Sequence, residues 1–226
     1  MEKLKHIIET IIFSLILILL SGGLMIGGTF VFSYAEIERM REYNSGIVGY
    51  PDIIRFDKNI EEYTKQYAFM ELYSIPIGYF DMLYGWEIVI TDKDIATLMI
   101  EKGYKTEYPA NSVNRYSGIC VYKEKTIYIN SEKSNIKQAM AHEIGHALEI
   151  NLDKPSITEK FDEIYKKERH RLFYQSNEKY YTTTNREYWA ECYKLYITEP
   201  EKLKSLAPET YKYLFDVLIE RQIREL

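Results

Sequence analysis

Residues 11–32 (IIFSLILILLSGGLMIGGTFVF) form an unbroken run of twenty-two apolar or small residues behind a short polar start that holds Lys3 and Lys5. A helix of about 20 apolar residues spans a bilayer, and the apolar core of a signal peptide is usually shorter. Gly22, Gly23, Gly27 and Gly28 weaken the second half of the run as a helix. Ser33-Tyr34-Ala35 has the small-x-small form of an export cleavage site. Residues 1–35 therefore read as a membrane anchor or a cleaved signal, and either places the remainder outside the cytoplasm. Residues 36–56, with mixed charge and the turn formers Asn44, Gly46, Gly49 and Pro51, read as a stalk.

The pattern then changes period several times. Residues 59–74 carry apolar positions at helical spacing, and Pro76 and Gly78 end the run. Residues 86–91 (WEIVIT) read as a strand. Residues 92–103 predict a short helix with Asp92 as cap and Gly103 as stop. A hairpin follows, with strands from Ile119 to Tyr122 and from Thr126 to Ile129 around a Lys-Glu-Lys turn. Helical patterns then cover residues 134–150, 156–173 and 185–198, and a last helix opens at Pro208. Ser156 and Glu159 have the spacing of a capping box. The order predicts an α+β domain over residues 57–226, a small mixed sheet packed with helices.

Charge excludes one class of partner. With 29 basic against 34 acidic residues the net charge is -5, and no basic stripe suggests nucleic acid. Tyrosine is abundant, at 22 residues. Cys120 and Cys192 lack the spacing of a zinc knuckle or a redox pair. They read as free thiols, with one disulfide as the alternative.

Chemistry concentrates in the helix at residues 134–150, where the sequence is His142-Glu143-Ile144-Gly145-His146. Residues i and i+4 project from one helix face, so two imidazoles can grip one Zn²⁺. Glu143 lies beside that face, placed to take a proton from a water that zinc acidifies. Ile136, Ala139, Met140, Ile144, Ala147 and Leu148 give the helix an apolar side to bury. Glycine costs about 1 kcal/mol in a helix interior relative to alanine, so Gly145 suggests a close neighbour. A catalytic zinc needs a third protein ligand and an open position. A later helix, at residues 185–198, offers Glu187 and Glu191, again four apart: one can bind zinc, and the other can hold the outer nitrogen of a zinc histidine. His6 lies in the export segment, and His170 sits among Lys166, Lys167, Arg169 and Arg171, a solvated basic face.

Together HEIGHAL (142–148), Tyr180 and NREYWAE (185–191) resemble the gluzincin metallopeptidases, in particular the catalytic domain of the anthrax lethal factor family and the similar Pro-Pro endopeptidases. The resemblance covers roughly residues 115–226. It implies a zincin-type fold and one catalytic Zn²⁺, with Glu187 as third ligand and Glu191 in support. It implies that a tyrosine hydroxyl, at Tyr180 or its neighbour Tyr181, stabilises the oxyanion. It also implies an extended peptide along an edge strand, here from Thr126 to Ile129. Nothing in the sequence matches the receptor-binding domains of lethal factor or the determinants of Pro-Pro specificity, so neither substrate follows. The expected function is a surface-anchored or secreted zinc endopeptidase with Glu143 as general base. The alternatives are a membrane-tethered, non-catalytic zinc module that binds peptides, and a metal-free structural domain.

Overall fold

The computed structural model describes residues 25–26, 29–30, 53–105, 116–173, 181 and 183–224. Residues 1–43 and 44–226 form separate units. In the first, Met25–Ile26 (β1) pairs antiparallel with Thr29–Phe30 (β2). The rest of the expected anchor or signal lies outside the described residues. Among the described residues no helix is long and apolar enough to cross a membrane.

The second unit is built on a four-stranded sheet. Its strands are Ile54–Phe56 (β3), Glu87–Thr91 (β4), Gly118–Val121 (β5) and Thr126–Asn130 (β6), in the order β3-β4-β6-β5. The first two pairings are parallel and the last is antiparallel. Alternation along β4 and β6 explains why both faces are covered. Ile88, Ile90, Ile127 and Ile129 face the main core, while Tyr128 and Val121 meet Ile95 and Met99 of the short helix Ile95–Glu101.

Two expectations are corrected here. The strand from Thr126 to Ile129 is internal: β4 holds one side and β5 the other, so no hydrogen-bonding edge is left for a peptide. Its first four residues are all buried, the mark of a central strand, and the edges of the described sheet are β3 and β5. The stalk assignment also ran too far, because Ile54–Phe56 joins the sheet beside β4.

The helices are Glu62–Tyr73 (α1), Ile95–Glu101 (α2), Lys133–Asn151 (α3), Glu159–Leu172 (α4), Asn185–Thr198 (α5), Pro200–Leu206 (α6) and Pro208–Arg224 (α7). Their caps differ from the expected ones by two residues. Asp94, not Asp92, caps α2 by accepting from the Thr97 amide at 2.9 Å. Thr158, not Ser156, caps α4 by accepting from the Phe161 amide at 3.2 Å. Ser156 sits in a 3-10 turn and donates its hydroxyl to buried Glu149.

The tyrosine excess is partly a core feature. Tyr188 and Tyr193 are fully buried, Tyr188 against Phe161 and Tyr193 against Tyr79. The Tyr188 hydroxyl shares a hydrogen bond with Thr210 at 2.9 Å, and Tyr213 donates to the Pro155 carbonyl at 3.0 Å. Burying such rings is favourable when the hydroxyl finds a partner. Cys120 and Cys192 are free thiols, as the sequence suggested.

Candidate metal centre

Helix α3 runs through the core with Ile136, Met140, Ile144 and Leu148 almost wholly buried. That packing fixes its rotation and turns His142, Glu143 and His146 toward α5 and β5, where all three are buried. Thr184 starts α5 by accepting from the Glu187 amide at 3.2 Å, which sets the first turn that carries Glu187.

Gly145 is where α3 and α5 cross. A Cβ at this position would lie 3.1 Å from the Ala190 Cα and the Tyr193 ring and 3.2 Å from the Ala190 carbonyl oxygen. Trp189 donates its indole N–H to the Gly145 carbonyl at 3.0 Å across the same crossing. The close neighbour expected from the glycine is therefore the backbone of the helix that supplies Glu187. For Gly145→Ala we expect lower thermal stability and weaker zinc binding. Overpacking costs about 1–3 kcal/mol, the gain in helix propensity is only about 1 kcal/mol, and a displaced α5 moves Glu187. Thermal unfolding and a zinc titration check this, and a variant matching the parent in both would contradict it.

The side chains converge as a ligand set. His142 Nε2 lies 3.4 Å from Glu187 Oε2, and His146 Nε2 lies 3.6 Å from Glu187 Oε1. Ligand atoms of the three residues lie within 4.8 Å of one another. Ligands held at about 2.0–2.2 Å in a tetrahedron are about 3.3–3.5 Å apart, so the spacing suits zinc. The surroundings suit it as well. Glu187 Oε2, one of the converging atoms, is buried and has no hydrogen-bond partner among the described residues.

Glu191 completes the arrangement one turn later on α5. Its Oε2 accepts from His142 Nδ1 at 2.9 Å, and its Oε1 pairs with Lys194 Nζ at 2.6 Å. A carboxylate on Nδ1 fixes the tautomer that leaves the Nε2 lone pair free for a metal. Both oxygens of Glu191 are thus engaged, and Glu187 is the carboxylate left for the ion. Lys194 was not among the residues read from the sequence. Only its i+3 spacing from Glu191 could have signalled it.

The electrostatics call for a cation at this point. Burial opposes the charged form of His142, but Glu187 and Glu191 outweigh it and raise the pKa to about 10. Burial likewise opposes ionisation of Glu187, and the two imidazoles reverse this, holding its carboxyl well below the usual range. Glu143 differs: burial dominates and raises its pKa, against the pull of the two histidines and the Cys120 main-chain amide. A carboxylate raised in this way is a better proton acceptor than a solvated one.

Gly118 explains how β5 comes so near. A Cβ there would lie 2.9 Å from the Ala139 Cβ and 3.0 Å from both the Glu143 Cγ and the Tyr128 carbonyl oxygen. Only glycine lets the strand lie against α3 beside Glu143. Tyr180 lies outside the described residues. Tyr181 packs its ring 5.7 Å from the His142 ring and 5.6 Å from Phe173, with Lys194 Nζ 5.6 Å from its centroid. His170 is exposed on α4, as its basic setting implied.

An HExxH helix crossed by a second helix that brings a glutamate to the two histidines, over a small mixed sheet with one antiparallel edge strand, is the arrangement of a zinc metallopeptidase, and the chain is a metalloendopeptidase of that class. It belongs to the family described as "Anthrax toxin lethal factor, N- and C-terminal domain", whose model matches residues 35–217. The fold is similar to that of the Pro-Pro endopeptidase PPEP-2 from Paenibacillus alvei. The TM-score is 0.59 at 20% sequence identity, over 74% of this chain and 98% of that one. No curated protein sequence matches the chain.

Proposed function

We propose that the protein hydrolyses internal peptide bonds of extended substrates bound along β5, with Glu143 as general base and one zinc ion held by His142, His146 and Glu187. The observation that carries this is the position of Glu143, buried beside the ligand cluster without joining it and within reach of the Cys120 amide. A site that only stored or bound a metal has no use for such a carboxylate. Bound zinc would acidify a water and polarise the scissile carbonyl. Glu143 takes the proton of the attacking water and returns it to the leaving amine.

Strand β5 is suited to hold the peptide. Asn130 donates its amide to the Ser117 carbonyl at 2.9 Å, so residues 117 and 130 form a hydrogen-bonded pair. Alternation then turns the main-chain groups of Gly118 and Cys120 to the open edge. An added antiparallel strand would bond to these groups and carry its scissile bond past Glu143. A setting outside the cytoplasm is part of the proposal, supported by the apolar run at residues 11–32.

The oxyanion donor falls to Tyr180, with Tyr181 as the alternative. The test is cleavage of a diverse peptide library, read by mass spectrometry, before and after a chelator and after zinc is restored. Cleavage that is lost and regained supports the proposal, and cleavage indifferent to chelation sinks it. In the same assay Tyr180→Phe should lower kcat about 10²-fold with little change in KM, while Tyr181→Phe should not. The reverse result would move the role to Tyr181.

A further inference from the structure

We propose that Arg186 forms a subsite for a carboxylate side chain of the substrate, on the amino-terminal side of the scissile bond. The inference rests on the peptidase reading above.

Arg186 opens α5 one residue before Glu187 and reaches toward the far end of α3. Its Nε donates to Glu149 Oε1 at 3.2 Å, and its guanidinium carbon lies 5.1 Å over the centre of the Tyr122 ring. Glu149 is fully buried and also takes the Ser156 hydroxyl. The plain reading is that Arg186 only neutralises Glu149. Three features argue for more. A guanidinium has five donors, and a purely structural carboxylate pair favours two parallel bonds. Here one donor is used, Glu149 Oε2 has no partner, and the two terminal amino groups make no hydrogen bond among the described residues. The Arg186 side chain is 36% exposed and Tyr122 is 38% exposed, so the fork is braced on one side and open on the other.

The location ties this fork to the substrate. Gly118, the first residue of β5, lies against Glu143, and Tyr122 directly follows the last residue of that strand. The fork over Tyr122 therefore sits at the end of β5 away from Gly118 and Glu143. A peptide antiparallel to β5 passes Tyr122 before it reaches Cys120 and Gly118. Arg186 then meets residues that precede the scissile bond. A planar, always-charged fork recognises a carboxylate. Arg186 thus offers an acidic side chain of the substrate a partner at this end of the strand.

The test uses the full chain and peptide pairs that differ only by Glu or Gln at each of the three positions before the cut. The expected parent prefers Glu at one of them by about 10–100-fold in kcat/KM, the size of a charge-assisted hydrogen bond. In Arg186→Gln that ratio collapses toward one, and in Arg186→Lys part of it remains. Because Arg186→Gln leaves Glu149 buried and unpaired, Arg186→Gln combined with Glu149→Gln serves as a second variant, and it should lose the ratio too. A parent indifferent to Glu against Gln, a preference only after the cut, or a ratio unchanged in both glutamine variants would overturn the subsite and leave the peptidase reading intact. A parent that cleaves no peptide would overturn that reading and the subsite with it.

Discussion

Glu143→Gln is expected to abolish measurable peptide cleavage while the protein stays folded and keeps its zinc. General acid–base catalysis contributes typically about 10²–10⁴-fold, and an amide can neither take nor return the proton. The expected fall in kcat/KM is therefore on the order of 10³-fold or more. Zinc should remain because Glu143 stands outside the ligand set. The fold should remain because the side chain keeps its shape, and burial already disfavours its charged form. Metal analysis and kinetics on the same preparation check both halves. A variant that loses zinc with its activity would show that Glu143 holds the ion, and one that keeps its activity would remove it from the reaction.

The two glutamates of α5 are expected to separate in effect. Glu187→Gln should lower zinc affinity by well over ~100-fold, because it removes a ligand. Glu191 cannot take its place: one oxygen is held by His142 and the other by Lys194. Glu191→Gln should lower affinity only about 10–100-fold, the usual size for a residue that orients a ligand. It should leave the zinc stoichiometry at saturation unchanged. Competition titrations with a chromophoric chelator measure both. Equal losses, or a larger loss in Glu191→Gln, would exchange the roles of the two residues.

The helix that groups His142, Glu143 and His146, and the two later carboxylates that meet it, were legible in the sequence because helical spacing converts directly into one face. Gly145 was legible for the same reason, since a glycine in a helix interior asks for a neighbour, and Ala190 is that neighbour. The edge strand was not. Both strands of the hairpin carry β-forming residues, and their position in the sheet depends on β4, more than thirty residues earlier in the chain. The contacts of Arg186 with Glu149 and of Gly118 with Ala139 join residues from separate elements, and no local period predicts them. The caps were displaced by two residues because Asp92 and Asp94, like Ser156 and Thr158, offer equivalent oxygens. Only the entry angle of the chain chooses between them.

The most direct measurement is an anomalous difference map from crystals of the protein, recorded on both sides of the zinc absorption edge. The account predicts one peak per chain, about 2.0–2.2 Å from His142 Nε2, His146 Nε2 and a Glu187 oxygen, with Glu191 hydrogen-bonded to His142 and not to the metal. A zinc peak on any other set of residues, or none at this cluster in crystals grown with zinc, would contradict it.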